Sequence, residues 1–445
     1  MSAGQGLHSV EDARGAILGS IAGPLEVEEV AVDRALGRVL ARDVVAAVTL
    51  PPWDNSAMDG YAIRSADGAG ATEDAPIRLV VTGEVPAGGV ADRAVEPGSA
   101  IRIATGAPIP AGADAVIPVE DTTPLDAAGV AGARGRDAVG PVPAAILAHV
   151  ATREGGNVRR RGNDLVAGAA ILASGTAISP AAVALAAGAG LATLSVHGRP
   201  RIAVLATGNE IRPAGTALGE AGIPDANGPG LRALVAAAGA EPMDLGIAVD
   251  VLDDVVGRLR RALDAGADAI VVAGGVSVGP YDVVKVAFET VGEIGLWRVA
   301  VQPGKPFAFG TAVRPDGGRT LLFGLPGNPV SSFVTFELFV RPAIRALAGR
   351  RDLLRPVDRA VLLDEVRTAP GRRAFLRVTA ERDVDGAPVR DDRGRVQVRL
   401  SRGPAGQGSH VLSALAAADA LAVVPESIET HPAGDPVELW WVDAP

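Results

Sequence analysis

Apolar and polar positions follow two different periods in the central part of this chain. Short runs rich in valine, isoleucine and alanine predict strands at 201–206, 245–249, 268–273, 297–301, 307–309 and 320–325. Between them, apolar residues recur every three or four positions, which predicts helices at 227–238, 253–265, 283–291 and 329–347. Such alternation is typical of a largely parallel sheet with helices on both faces.

The stretches on either side of this central part show other sequence patterns and predict other elements. Ser9 and Asp12 form a capping pattern that predicts a helix through Ile21. From 51 to 150, short Val/Ile runs between Gly and Pro turns predict a small β-rich domain, with 125–150 as a variable loop region. Ser179 followed by Pro180 predicts a helix start. After residue 355 the chain returns to short β segments, which predict a separate small β-domain.

Composition narrows the possible functions. A chain of 445 residues predicts two to four domains, and its 48% hydrophobic content excludes global disorder. The absence of cysteine excludes disulfides, thiolate metal sites, iron–sulfur clusters and a cysteine nucleophile. A net charge of −10 argues against a general nucleic-acid binder. With neither a signal-peptide pattern nor an apolar stretch able to span a bilayer, we expect a cytoplasmic protein.

Rare residue types mark candidate positions. Of 42 basic residues only two are lysines, Lys285 and Lys305, and the six asparagines all lie in Gly- or Pro-rich turns. Asparagine is also an ordinary turn residue, and Asn227 is well explained as a helix cap. Turn formation does not explain why two lysines remain in a chain that otherwise uses arginine. Arginine replaces lysine poorly where a compact charge is needed. We therefore interpret both lysines as site residues.

Three polar loops follow predicted strands, at the edge where an open α/β sheet binds its ligands. Their sequences are TGNE at 207–210, GGVSVGPYD at 274–282 and PGNP at 326–329. A glycine-rich loop that leads into a helix presents backbone N–H groups to an anion, although it can also be a simple tight turn. Ser277 adds a hydroxyl donor. Glu210 and Asp282 could hold Mg²⁺ between carboxylate and phosphate oxygens.

Other dense polar turns lie outside the α/β region. The segment 51–62, PPWDNSAMDGYA, contains Asp59, and a second turn at 102–108 contains Thr105. The arginines at 159–161, Arg160 among them, suit either an anion or a solvated surface. The five histidines fall outside every one of these motifs, so a histidine-based metal or triad site is not expected.

Seven ordered motifs resemble the MoeA/gephyrin E-domain family of molybdopterin molybdenumtransferases. They are WDNSAMDGYA, RIATGAPIPAGADAVIPVED, NVRRRGND, LATGNEI, GGVSVGPYDVVK, PGKPFAFG and LPGNPVSS. The resemblance covers about residues 9 to 350 in the family's order and spacing. It implies an enzyme that inserts molybdate into adenylylated molybdopterin and releases AMP, with Mg²⁺ required. It also implies a homodimer whose site lies between the α/β domain of one subunit and the β-rich domain of the other.

The resemblance also implies a fold and a set of roles. The fold is a multidomain α/β plus β chain with a three-layer αβα molybdopterin-binding domain at 1–26 and 179–350. A connector domain at 27–48 and 152–178, a small β-rich domain at 49–151 and a C-terminal β-barrel-like domain at 351–445 complete it. The implied catalytic residues are Asp59, Thr105, Glu210, Asp225, Asp282 and Lys305, with Glu210 and Asp282 as metal ligands. The implied substrate-binding residues are Gly274, Gly275, Ser277, Lys285, Pro326, Asn328, Pro329 and Arg160.

Two departures and three alternatives accompany the resemblance. Gln302 stands where many members have lysine, and the turn after Asp225 is richer in glycine than usual. A gephyrin-like dimeric scaffold that binds other proteins would use the same fold. An enzyme that adenylylates molybdopterin would match only the α/β part. Tungstate, which has the same charge and shape as molybdate, remains an alternative metal substrate.

Overall fold

A six-stranded mixed sheet forms the centre of the computed structural model, which describes residues 7–135, 140–276, 283–401 and 406–442. Its strands are β1 (Arg201–Thr207), β2 (Glu241–Ala248), β3 (Ala269–Ala273), β4 (Glu293–Arg298), β5 (Pro306–Val313) and β6 (Arg319–Leu325). They lie in the order β2-β1-β3-β6-β5-β4. Strands β2, β1, β3 and β6 are parallel to one another, whereas β5 and β4 form an antiparallel edge. The sheet is therefore largely parallel, as predicted.

Helices cover both faces of this sheet. They are α1 (Val10–Gly19), α2 (Asn227–Ala237), α3 (Leu252–Asp264), α4 (Val283–Val291) and α5, whose two α-helical parts, Pro329–Thr335 and Arg341–Leu347, flank a π-helical turn, Phe336–Val340. One apolar core joins α1, α2 and α5 to the sheet, and a second joins α3 and α4 to its other face. The predicted three-layer arrangement is confirmed. Ser9 caps α1 as predicted, because its Oγ accepts the Asp12 N–H at 3.0 Å.

The β-rich region contains a second six-stranded sheet. Its strands, in spatial order, are Ala115–Pro118, Gly60–Ile63, Ser99–Ile103, Ile77–Val85, Ala145–Ala148 and Thr122–Leu125. A short helix, Ser65–Gly68, and a 3₁₀ turn, Val119–Asp121, accompany it. The prediction of loop throughout 125–150 is wrong at Ala145–Ala148, which pairs with strands on both sides. Only four residues long and flanked by Ala/Gly-rich sequence, this strand gives almost no periodic signal, yet three of its residues are buried.

A connecting region consists of short strands that pair across the chain, one strand of each pair preceding the β-rich sheet in sequence and the other following it. The pairs are Val27–Ala31 with Thr193–His197, Val44–Val45 with Ala170–Leu172, and Asn55–Ser56 with Val158–Arg159. The helix Pro180–Gly188 and the 3₁₀ turn Val32–Arg34 pack on their apolar core. Ser179 caps that helix as predicted, since its Oγ accepts the Ala182 N–H at 3.2 Å. The four domain boundaries remain a prediction.

A closed barrel of five strands forms the C-terminal region, as the β-barrel-like prediction required. Around the barrel its strands are Arg373–Ala380, Val396–Leu400, Val357–Leu362, Pro436–Trp441 and Ala420–Val424, which pairs again with the first. Val366–Arg367 pairs with Thr430–His431, and a short helix spans Leu412–Ala416.

One prediction at the barrel edge is wrong. The stretch 297–301 was expected to be a single strand, but β4 ends at Arg298, and Val301–Gln302 pairs instead with the barrel strand Arg373–Ala380. The Gln302 side chain reinforces this attachment, because its Oε1 accepts the Ala369 N–H at 2.8 Å.

Within the ranges described, no helix is long and apolar enough to cross a membrane.

Candidate functional site

A cleft of about 910 Å³ opens at the carboxyl ends of the parallel strands. Its walls come from the loops that follow β1, β3 and β6, together with the segment Ile223–Asn227 and two residues of the C-terminal region. Parallel strands bring their carboxyl ends to one edge, so polar loops that are distant in sequence meet there. The convergence of three loops predicted from the sequence is therefore observed for their described residues.

The loop after β1 presents a carboxylate to the cleft. Glu210 lines the cleft with an exposed side chain. Its neighbour Asn209 is fixed to the loop after β2: the Asn209 N–H donates to Asp250 Oδ2 at 3.3 Å, and the Asp250 N–H donates to Asn209 Oδ1 at 3.1 Å. This reciprocal pair holds the backbone that carries Glu210.

Asp225 and Asn227 lie at the start of α2, and both line the cleft. Asp225 Oδ1 accepts the Gly228 N–H at 2.8 Å, so it satisfies one of the free N–H groups of the first helical turn. Asn227 does not cap the helix. Its Nδ2 donates to the Gly327 carbonyl at 2.7 Å and ties α2 to the loop after β6. The interpretation of Asn227 as a cap is wrong, because Asn227 is the first residue of the helix and Ala226 occupies the N-cap position.

Gly274 and Gly275 make the sharp turn after β3, both with positive φ, at 107° and 62°. A Cβ at Gly274 would lie 2.5 Å from the Thr207 carbonyl oxygen and 2.7 Å from its hydroxyl. Both glycines line the cleft. Close approach of the Thr207 backbone, in addition to the positive φ, requires glycine at 274, whereas a Cβ at Gly275 would lie 2.6 Å from the Val284 side chain. Thr207 also lines the cleft, and its buried hydroxyl has no hydrogen-bond partner among the described residues. Ser277 and Asp282 lie outside the described residues.

A Gly274→Ala substitution is expected to destabilise the protein by about 2 kcal/mol, because it combines an unfavourable φ with a clash against backbone. Denaturant unfolding measures the effect. Gly230→Ala, in α2, is the matched control: nothing lies within 4 Å of its Cβ, so stability should be unchanged or slightly higher. Equal stabilities for the two variants would contradict the explanation.

The loop after β6 contributes Pro326, Asn328 and Pro329 to the cleft. Asn328 occupies the N-cap position of α5, but its side chain does not cap the helix. Its Nδ2 donates instead to Ser409 Oγ at 2.9 Å, in the C-terminal region. The Ser332 hydroxyl donates to the Pro326 carbonyl and fixes the preceding turn.

The two lysines flank the cleft but are absent from its described walls. Lys285 is exposed on α4, with its Nζ 3.9 Å from Glu289 Oε1. Lys305 is exposed just before β5, and its neighbour Pro306 lines the cleft. Only Lys305 directly adjoins one of the described cleft-lining residues, and contact of either lysine with a ligand stays a prediction.

Asp59 and Thr105 form a direct contact in the β-rich region. The Thr105 N–H donates to Asp59 Oδ1 at 2.7 Å, and the Thr105 hydroxyl donates to the same oxygen at 2.8 Å. Both hydrogen bonds lower the pKa of the Asp59 carboxyl below its usual range, and the bond from the backbone N–H contributes most. The carboxyl is therefore ionised at neutral pH. The predicted pair is brought together, at an exposed position.

A second polar pair lies on the same segment. Arg160 Nη1 donates to Asp54 Oδ2 at 2.7 Å, and the Arg161 N–H donates to Asp54 Oδ1 at 2.8 Å. The hydrogen bond from the Arg161 N–H lowers the pKa of the Asp54 carboxyl most, and the Arg160 guanidinium lowers it further. Arg160 therefore has an acidic partner within its own chain. Two large apolar side chains of the segment are exposed, Trp53 at 47% and Met58 at 39%.

The two polar regions do not share a cleft within one chain. Among the residues that the structure describes, none from 49–151 lines the cleft at the strand ends. The single chain thus separates Asp59 and Thr105 from Glu210 and Asp225.

Comparisons with known proteins agree with this architecture. Three family models match in succession: the MoeA N-terminal region (domain I and II) at 8–190, a probable molybdopterin binding domain at 203–346, and the MoeA C-terminal region (domain IV) at 359–441. Molybdopterin molybdenumtransferase 2 of Mycobacterium tuberculosis is 38% identical over 420 residues, covering 92% of this chain and 94% of that protein.

The chain belongs to the MoeA family of molybdopterin molybdenumtransferases.

Two further relatives extend this result. The molybdopterin molybdenumtransferase of Haemophilus influenzae is 31% identical and covers 97% of this MoeA chain and 98% of its own. The crystal structure of a molybdopterin biosynthesis MoeA protein from Pyrococcus horikosii superimposes with a TM-score of 0.75 at 29% identity, covering 99% and 100% of the two chains. This MoeA chain is thus an enzyme of molybdenum cofactor biosynthesis with the MoeA multidomain fold.

The donor set of the cleft fits a magnesium ion. Glu210, Asp225 and Asp250 bring three carboxylates to its walls, and carboxylate oxygens are the ligands that Mg²⁺ prefers. Within the described ranges, no three acidic or histidine side chains lie close enough to form a complete metal cage. Mg²⁺ usually needs only one or two carboxylates, with substrate phosphates completing its shell.

Asp250, His410 and Leu412 are among the cleft residues of this MoeA chain that sequence reasoning missed. Asp250 follows β2, so the strand-end rule that selected Glu210 could have found it. His410 and Leu412 come from the C-terminal region, where the sequence carries no motif and no signal of proximity to the sheet.

Proposed function

We propose that this enzyme inserts molybdate into adenylylated molybdopterin and releases AMP, with Mg²⁺ held in the cleft. The observation that carries the proposal is the cleft itself: polar loops and close-packed glycines meet at the strand ends of the domain whose family model is a probable molybdopterin binding domain. Its 910 Å³ suits a ligand of nucleotide size or larger.

The residues of the cleft have separate tasks in this proposal. Glu210 would hold Mg²⁺, with Asp225 or Asp250 as a second oxygen ligand. When bound, Mg²⁺ supplies positive charge that offsets the repulsion between phosphate and molybdate and makes AMP a better leaving group. The glycine turn lets the backbone approach a phosphate closely. The network of Asn209, Asn227 and Asn328 fixes the loops, so the reacting groups are held in one orientation.

We further propose that the active enzyme is a homodimer in which Asp59 and Thr105 of one subunit complete the cleft of the other. Their separation from the cleft within one chain supports this arrangement. Trp53 and Met58 on the same segment are exposed, and a subunit interface there would remove their apolar surface from water. The ionised Asp59 would then add a negative charge to the completed cleft, where it could orient the metal or the substrate.

The test of function is a reaction mixture of purified protein, adenylylated molybdopterin, Mg²⁺ and molybdate, with AMP followed by chromatography. Molybdate-dependent release of AMP is expected. Absence of AMP release by the wild-type protein would refute the proposed reaction.

Mixing two inactive variants tests the shared site. Asp59→Asn and Glu210→Ala homodimers each lack one half of every cleft, whereas a mixed dimer contains one intact cleft. After unfolding and joint refolding, about a quarter of wild-type activity is expected, because half of the dimers are mixed and each has one good site. No recovery, although mixed dimers are detected by native mass spectrometry, would contradict the shared cleft.

Lys305→Arg is expected to lower the rate of AMP release roughly tenfold, because the planar guanidinium cannot replace a compact ammonium group next to an oxyanion. Arg393→Lys, on an exposed turn of the C-terminal region outside all seven motifs, is the control and should release AMP at the wild-type rate. Wild-type turnover by the Lys305 variant would show that the scarcity of lysine has no functional meaning.

The scaffold alternative uses the same fold and is separable by experiment. A protein that serves only as a scaffold would dimerise without releasing AMP. The strand-end cleft that the described residues form favours catalysis over a scaffold role alone.

A further inference from the structure

The C-terminal region reaches the cleft through one segment, residues 406–412, here called the bridging segment. The Val330 N–H donates to the Ser409 carbonyl at 3.1 Å, and Asn328 Nδ2 donates to Ser409 Oγ at 2.9 Å. Both partners of Ser409 belong to α5 or its N-cap. The backbone of the bridging segment is therefore fixed to the loop that forms one wall of the cleft.

His410 follows Ser409 and lines the cleft with an exposed ring. The Leu412 N–H donates to the His410 carbonyl at 3.1 Å, so the backbone is held on both sides of the ring. A Cβ at position 408 would lie 2.9 Å from His410 Cε1, and glycine at this position leaves the ring its space. Neither ring nitrogen has a hydrogen-bond partner within the described ranges, so both remain available to a ligand.

The charge of the cleft makes this ring distinctive. The ionisable side chains among its described walls are three carboxylates, from Glu210, Asp225 and Asp250, and His410. A cleft that binds a phosphorylated ligand needs positive charge or hydrogen-bond donors opposite the phosphate. Among these wall residues, only His410 can supply an N–H donor that also carries positive charge when protonated.

We propose that His410 is a substrate-binding residue that donates a hydrogen bond to a phosphate oxygen of the nucleotide part of the substrate. This inference rests on the proposed function and gives the C-terminal domain a direct part in the site. The bridging segment then holds the His410 side chain, which belongs to the C-terminal domain, at the strand ends of the central sheet.

Calorimetric titration with AMP and with adenosine, in the presence of Mg²⁺, tests the inference. His410→Ala is expected to weaken AMP binding about tenfold or more, as for loss of a hydrogen bond to a charged group, and to leave adenosine binding unchanged. His410→Gln keeps a donor without charge and should lie between wild type and alanine. Arg393→Ala, on an exposed turn of the same domain, is the matched control and should bind both ligands as wild type does.

The outcomes separate this inference from the proposed function. Equal AMP affinity for wild type and His410→Ala overturns the inference alone. An equal loss for AMP and adenosine also overturns it, because the ring would then act only through the shape of the cleft. If wild type binds no AMP and releases none, the proposed function fails and the inference fails with it. In turnover assays the His410 variants should raise KM more than they lower kcat.

Discussion

An Asp59→Asn variant is expected to lose at least about 100-fold in the rate of AMP release while its fold stays intact. Asp59 Oδ1 accepts two hydrogen bonds from Thr105, and asparagine keeps an oxygen that can accept both. The substitution therefore removes the negative charge and one acceptor oxygen without breaking the turn. AMP release measures the loss, and circular dichroism with thermal melting checks the fold.

Asp126→Asn is the matched control for this prediction. Asp126 Oδ1 also accepts two hydrogen bonds in the β-rich region, from the N–H groups of Ala128 and Val130, both at 2.8 Å. It belongs to none of the seven motifs, so its variant should turn over as wild type does. A normal rate for Asp59→Asn would remove Asp59 from the reaction and leave Thr105 with only a structural role.

Glu337→Ala should cost about 3–5 kcal/mol of unfolding free energy, the largest effect on stability that we expect. Glu337 is 3% exposed on the π-helical turn of α5. Its carboxylate accepts from Arg355 Nε at 2.9 Å and Nη2 at 3.0 Å, and Arg341 Nε lies 3.7 Å away. The pKa of Arg341 is lowered to about 10, mainly by its burial and secondly by the positive charge of the neighbouring Arg355. Without the carboxylate, two guanidinium groups would lie close together with little water to screen them.

Chemical denaturation measures this effect. Glu381→Ala removes a carboxylate from an exposed pair with Arg399 and should cost less than about 1 kcal/mol. Removing Arg355 together with Glu337 should cost less than the sum of the single changes, since no charge of that pair is then left unmatched. Strict additivity of the two substitutions would show that the pair does not act as a unit.

Most of the α/β fold could be predicted from the sequence, because its strands and helices have strong, separate periods. The helix 283–291 was predicted with the bounds of α4, and β1 and β6 differ from prediction by one residue. The antiparallel edge formed by β4 and β5 could not be predicted, since periodicity gives the existence of a strand but not its direction. The strand Ala145–Ala148 is defined by its neighbours in the sheet rather than by its own residues.

The candidate site could be predicted in part. Loops after strands were found because each is local in sequence and its meeting place follows from the parallel topology. The hydrogen bond from Asn227 to Gly327 joins residues 100 positions apart, and the one from Asn328 to Ser409 joins residues 81 positions apart. Contacts between such distant residues cannot be recognised from the local sequence. His410 was missed for the same reason. The rarity of lysine marks Lys285 and Lys305 as candidate site residues, but it carries no information about where their side chains lie.

The attachment of the barrel to the central sheet has a consequence for how the protein unfolds. Phe375, Leu421, Val423 and Trp440 of the barrel belong to the same apolar core as α1, α2 and α5, and Val301–Gln302 adds its strand to the barrel. Cutting the chain near residue 350 would expose that shared core to water. The two regions should therefore melt cooperatively, in a single calorimetric transition, rather than as independent units.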